Sequence, residues 1–125
     1  MDRPRDALAE GTELAGYIIG RVLGRGGFGI TYAATDALYP DTHVAIKEFL
    51  PAGMAVREAG AISVHPASAA ESEDFAKALA RFQDEARTLV ALRHPHIVEA
   101  QRFIKANGTA YVVMKLEEGE SLGRR

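Results

Sequence analysis

Four glycines fall within six residues, Gly24-Arg-Gly-Gly-Phe-Gly29, between two apolar runs of β type, and a third such run carries a single lysine, Lys47. Gly24, Gly26 and Gly29 bear no Cβ. Their backbone can therefore come close to a charged group, and N–H groups presented this way suit phosphate oxygens. Lys47 closes the run Val44-Ala-Ile-Lys47 and adds fixed positive charge. The chain has only four lysines against eleven arginines, so a lysine inside an apolar strand calls for a role beyond solvation. The pattern points to a nucleotide triphosphate held against a sheet.

A chain of 125 residues has room for one domain, and it can bury roughly two thirds of its unfolded surface. Its net charge of −2 gives no reason to expect nucleic acid or an anionic membrane as a partner. Cysteine is absent. That leaves no disulfide framework and no thiolate metal site, and it suits a reducing cytoplasm, where the chain is expected to reside. The N-terminus is charged and leads into no apolar signal-peptide core, and no apolar run is long enough to span a bilayer.

Residues 1–15 have mixed charge and no period, and are expected to form a flexible leader. Tyr17–Leu23, Ile30–Thr35 and His43–Phe49 read as strands, which makes Gly24–Gly29 a hairpin turn and Asp36–Asp41 a proline-containing turn. Residues 51–70 are rich in Ala, Gly, Pro and Ser and read as a loop, with a short strand expected at Ala61–Val64. Ser68 and Glu71 have capping-box spacing, with Ser72 as a rival cap. From there Phe75, Leu79, Phe82, Ala86, Leu89 and Val90 form a helical stripe about 100° wide. The helix is expected over residues 71–93, closed by Pro95. Val98–Lys105 and Thr109–Met114 then read as strands joined by Asn107-Gly108, a strong hairpin signal. The fold class is α+β: a five-stranded antiparallel sheet with one main helix across it. The domain occupies residues 16–116, and 117–125 is a polar, turn-like end.

The glycine loop on its own admits other readings. A dinucleotide-binding fold needs a helix starting at the third glycine, but Ile30-Thr-Tyr-Ala-Ala-Thr35 is β-branched and aromatic. A P-loop needs Lys and Ser/Thr directly after its last glycine, where this chain has Ile30 and Thr31. A plain flexible turn would also contain these glycines. The histidines His43, His65, His94 and His96 have no metal-ligand spacing with partners and are assigned no chemistry.

Taken with Val44-Ala-Ile-Lys47, the segment 23–47 resembles the nucleotide-binding lobe of eukaryotic-like protein kinases, as found in bacterial Ser/Thr kinases. In that family a glycine-rich loop (here 23–31) covers the phosphates, and the lysine of the V-A-I-K motif contacts them. The resemblance implies ATP as cofactor. It implies a loop site of Gly24, Gly26, Gly27, Phe28 and Gly29, and an adenine pocket lined by Leu23, Thr31, Ala45 and Leu116. It puts Met114 at the gatekeeper position, and the backbone of Lys115 and Glu117 at the adenine edge. It also implies a carboxylate from the helix to hold Lys47. Of the two candidates, Asp84 lies nearly opposite the apolar stripe, and only Glu85, about 90° from its centre, can lean over the sheet. Phe82-Gln-Asp-Glu85 followed by Leu92-Arg-His-Pro-His-Ile-Val98 fits the family's C helix and the loop after it. The 38 residues from Lys47 to Glu85 exceed the usual connection, so 51–70 is read as an insertion.

No Asp follows Asp84, and Asn107 is the only Asn. The family's catalytic base and Mg²⁺ ligands are therefore not in this chain, which alone is expected not to turn over. Mg²⁺ is expected only with the second lobe. That lobe, or a partner protein, is expected on an exposed apolar face. The alternative reading is a free-standing, non-catalytic binding or regulatory module with the same fold.

Overall fold

A computed structural model describes residues 3–92 and 100–116 of the chain. Six strands make one antiparallel sheet: β1 (Glu13–Leu14), β2 (Tyr17–Gly26), β3 (Gly29–Asp36), β4 (His43–Phe49), β7 (Ala100–Ala106) and β8 (Thr109–Lys115). Their spatial order is β1-β2-β3-β4-β8-β7. The sheet follows the expected antiparallel α+β plan, with a two-residue edge strand, β1, added to the five strands expected. A 3₁₀ turn, Ala69–Glu71, leads into α1 (Ser72–Leu92), the one α-helix among the described residues. Ser68 caps that turn without a side-chain hydrogen bond, so the capping box suggested by its spacing does not form.

Three stretches differ from the sequence reading. The hairpin ladder of β2 and β3 continues through the glycines, with Arg25 opposite Ile30 and Gly26 opposite Gly29, so the turn shrinks to Gly27-Phe28. The 51–70 segment holds a small hairpin, β5 (Ala55–Val56) with β6 (His65–Pro66), in place of a strand at Ala61–Val64. Where a flexible leader was expected, Ala7 and Leu8 lie in the core and Leu14 pairs with Tyr17. Asn107 and Gly108 form the expected turn, with φ of 58° and 79°, as a two-residue type I′ hairpin requires.

The two faces of the sheet have different tasks. Directly opposed residues in an antiparallel pair share a face, and neighbours along a strand alternate. One face carries Ala45, Lys47 and Phe49 of β4. α1 packs on this side: Phe49 stacks on Phe82 at 4.7 Å and on Phe75 at 6.2 Å between centroids, and Ala86 meets Val112 and Ala100. The other face carries Val44, Ile46 and Glu48, all buried.

A carboxylate on that second face needs a partner, because an unpaired buried charge is expensive. Arg57, the only Lys or Arg in the 51–70 segment, supplies it. Its guanidinium donates to both oxygens of Glu48, at 2.9 and 2.5 Å, and both side chains are fully buried. It also donates to the carbonyls of Asp6 and Ile62, at 3.1 and 3.0 Å. The hydroxyl of Tyr32 donates to Glu48 at 2.7 Å and accepts from the Leu8 amide at 2.9 Å. Asn107 donates to the Tyr111 hydroxyl at 2.9 Å. Burial by itself would lower the Arg57 pKa, but the hydrogen bonds and charge of Glu48 outweigh it and the pKa rises. The N-terminal segment, the 51–70 segment and the sheet thus share one buried polar network, with no buried side-chain nitrogen or oxygen among the described residues left unpartnered.

Two predictions follow from this network. Removing one member of a buried pair strands the other, so Arg57→Ala is expected to lower unfolding free energy by about 3–5 kcal/mol in urea titrations. The second concerns alkali. Burial, reinforced by the Glu48 charge, raises the pKa of both Tyr32 and Tyr111 above the ordinary 10.0. The unfolded chain therefore releases protons first, and stability complete below pH 10 falls as pH rises past it. Ultraviolet titration should show two tyrosines that stay neutral until the chain unfolds.

Candidate functional site

The candidate site is a row of residues across five strands. Gly24 lies opposite Thr31, Thr31 opposite Lys47, Lys47 opposite Val112, and Val112 opposite Phe103. The next row on the same face runs Ala33, Ala45, Met114, Ala100. The sheet register therefore brings Gly24, Thr31, Ala45, Lys47 and Met114 together on the helix-bearing face. Ala45 is buried, while Thr31, Lys47 and Met114 are half-buried. Leu23, also half-buried, sits at a register shift between Val22 and Gly24. Phe28 projects from the loop tip, 69% exposed. Lys115 is exposed and Leu116 half-buried; Glu117, His94 and His96 lie outside the described residues.

The glycines divide into two kinds. A Cβ added at Gly24, Gly26 or Gly27 would meet nothing within 4 Å, so that side of the loop is bare and open. A Cβ at Gly29 would lie 1.9 Å from the Glu48 carbonyl oxygen, and its φ is +151°. Gly29 is thus required by the close approach of β3 and β4, a reason the sequence pattern does not distinguish from phosphate access. Two amides beyond β4 hold the loop tip from the same side: Leu50 N–H donates to the Phe28 carbonyl at 2.8 Å, and Ala52 N–H to that of Gly27 at 3.0 Å.

The structure does not bring Glu85 to Lys47. Glu85 is exposed, and among the described residues neither side chain takes part in an ion pair. The helix explains this. Gln83 is buried on α1 while Leu89 is 41% exposed. At 100° per residue, with Ala78 also packed on the core, the buried face is rolled by less than about 10° from the apolar stripe, in the direction that takes Glu85 further from the sheet. Asp84, as expected, faces solvent, where it pairs with Arg87 at 2.9 Å.

Among the described residues no group of three or more His, Asp or Glu side chains could hold a metal ion, and no helix is long and apolar enough to cross a membrane. The bare turn and the lysine fit a polyphosphate; the donor set for Mg²⁺ is not among these residues.

Comparison with known proteins agrees with the fold. No family model matches the chain. It is 34% identical over 113 residues to the serine/threonine-protein kinase PknE of Mycobacterium bovis, a match covering 90% of this chain. It is 34% identical over 110 residues to the CBL-interacting protein kinase 22 of Oryza sativa, covering 85%. Among solved structures it superposes on the apo form of PpkA-294 with a TM-score of 0.81 and 33% identity over 89% of the chain. The kinase domain of Mycobacterium tuberculosis PknI gives 0.58 and 28% over 88%. The chain has the fold of a protein kinase N-terminal lobe, and its curated relatives are protein kinases. The lobe spans 16% and 22% of the two curated relatives' lengths, and 39% and 36% of the two solved chains.

The residues missed in the sequence are those of the far face: Glu48, Arg57, Tyr32, Tyr111 and Asp6. One signal was there to read. Alternation along His43–Phe49 puts Glu48 on the same face as Val44 and Ile46, and a lone arginine in the loop that follows is the natural partner.

The two kinds of glycine can be separated by substitution. Gly29→Ala is expected to cost about 2–4 kcal/mol in chemical denaturation, since backbone must move to admit the methyl group. Gly27→Ala should stay within about 0.5 kcal/mol of wild type.

Proposed function

We propose that the lobe binds ATP on the helix-bearing face, and that it serves phosphoryl transfer to serine or threonine of a protein substrate in an enzyme that includes a second lobe. The reading is supported by the row Gly24–Thr31–Lys47, in which Lys47 is paired with the strand that leads out of the open glycine turn. Open glycine backbone offers N–H groups to phosphate oxygens, and Lys47 neutralises their charge. Leu23, Thr31, Ala45 and Leu116 offer apolar surface to the adenine, with the Lys115 carbonyl and the Glu117 amide as its hydrogen-bonding edge. Met114, one row along from Lys47, limits the depth of the pocket. Glu85 is the carboxylate for Lys47 once α1 rolls toward the sheet.

By itself the 125-residue chain makes only part of such a site. Two hydrogen bonds of about 1 kcal/mol each, with stacking on one side of the base, correspond to a dissociation constant on the order of 1 mM. Phosphoryl transfer depends on positioned metal and base, so no kinase-like turnover is expected of this chain alone.

Titration with ATP followed by amide chemical shifts tests the binding. Shifts should concentrate on Gly24–Gly29, Lys47 and Leu116, and Lys47→Met should weaken binding at least about tenfold, the loss of one charge-assisted contact. Shifts confined to other surfaces, or unchanged affinity in Lys47→Met, would remove the reading.

A further inference from the structure

Arg25 stands among the glycines at the end of β2, and its side chain does not serve the face where Lys47 lies. Its register partner is Ile30, Ile30 pairs with Glu48, and Glu48 pairs with Tyr111. That row is on the opposite face of the sheet from Gly24, Thr31 and Lys47. On this far face Arg25 meets Asp6. Both guanidinium nitrogens engage the carboxylate, Nη1 with Oδ1 and Nη2 with Oδ2, the latter at 2.8 Å. Asp6 is itself seated: its carbonyl accepts from Arg57, and the segment beyond it buries Leu8. The Arg25 hydrogen bonds outweigh partial burial and hold the Asp6 carboxyl below the usual carboxylate range.

We infer that Asp6 is a positioning residue for the glycine-rich turn, a latch that grips Arg25 from the far face and so fixes the bare backbone in the orientation that accepts phosphate. The latch joins the leader to the turn as Arg57 joins the insertion to β4, and both attachments converge on Asp6. Arg25 is therefore a handle on the turn rather than a phosphate ligand. Its relevance to nucleotide affinity rests on the ATP-binding reading above; its effect on the turn does not.

The test uses the full 125-residue chain, with two readouts. Amide hydrogen exchange reports the turn directly, and ATP titration reports the site. Asp6→Asn is expected to speed exchange at Gly26, Gly27 and Phe28 about three- to fivefold and to weaken ATP binding by a similar factor, as loss of a partly exposed bidentate pair implies. Amides in the middle of β8 should exchange at the wild-type rate; acceleration there in step with the turn would mean general destabilisation and would overturn the latch. Asp6→Glu should retain protection. Asp6→Arg combined with Arg25→Asp should restore what each single change loses. Turn exchange unchanged in Asp6→Asn, or tighter ATP binding in that variant, would overturn the proposal. If the wild-type chain binds no ATP, the nucleotide reading falls, and exchange at the turn still decides the latch.

Discussion

The alternation of β4 puts two opposite charges back to back, and the lobe is organised around holding them apart. Lys47 faces the helix side, and Glu48, one residue on, is sealed into the other. Burying Glu48 is possible only because Arg57 reaches it with two hydrogen bonds. A buried ion pair of this kind is no strong source of net stability, since desolvation offsets most of the attraction. Its effect is on specificity. It fixes the register of β4, because a one-residue slip would bring Glu48 to the helix face and Lys47 into an apolar layer. The row that carries the candidate site therefore depends on a contact made on its reverse side.

The same contact explains why the long connection after β4 is ordered in the way observed. Arg57 is anchored at Glu48, Val64 N–H donates to the Asn107 carbonyl at 2.7 Å, and a Cβ at Gly108 would lie 2.4 Å from the Val64 carbonyl oxygen. The 51–70 segment is thus pressed against two separate hairpins. Ala52 within it, and Leu50 just before it, also reach the glycine turn. Segments that carry no recognisable motif surround the motif and set its shape.

How much of this was legible follows from range. Strands with local punctuation were readable: Asn107-Gly108 demands φ > 0 at both positions, and the β-branched runs beside the glycines leave few alternatives. The kinase-like motif order from Leu23 to Lys47 was readable for the same reason, since its spacing is local. The leader was not, because Leu8 is one apolar residue without a period, and its place is decided by Tyr32, 24 positions away. Arg57 was assigned no role from the sequence, since it lies in a loop without a period and only the fold brings Glu48 to it. The helix was placed within a residue or two, but its roll was not. Stripe arithmetic weights every apolar residue equally, whereas the structure buries Gln83 and leaves Leu89 partly in water.

That roll bears on how the site can work. Lys47 is half-buried with no carboxylate beside it among the described residues, while Glu85 stands in solvent on a helix held by an apolar stripe. Aromatic and aliphatic contacts tolerate a small rotation better than a buried ion pair does, because dispersion is non-directional and Phe49 has both Phe75 and Phe82 to slide between. The far face, locked by Glu48 and Arg57, lacks that freedom. On the nucleotide-binding reading, a polyphosphate beside Lys47 shifts the helix only by the free energy with which it prefers the rolled-in arrangement. The charged network lies on one side of the sheet, and Lys47 with the helix lies on the other.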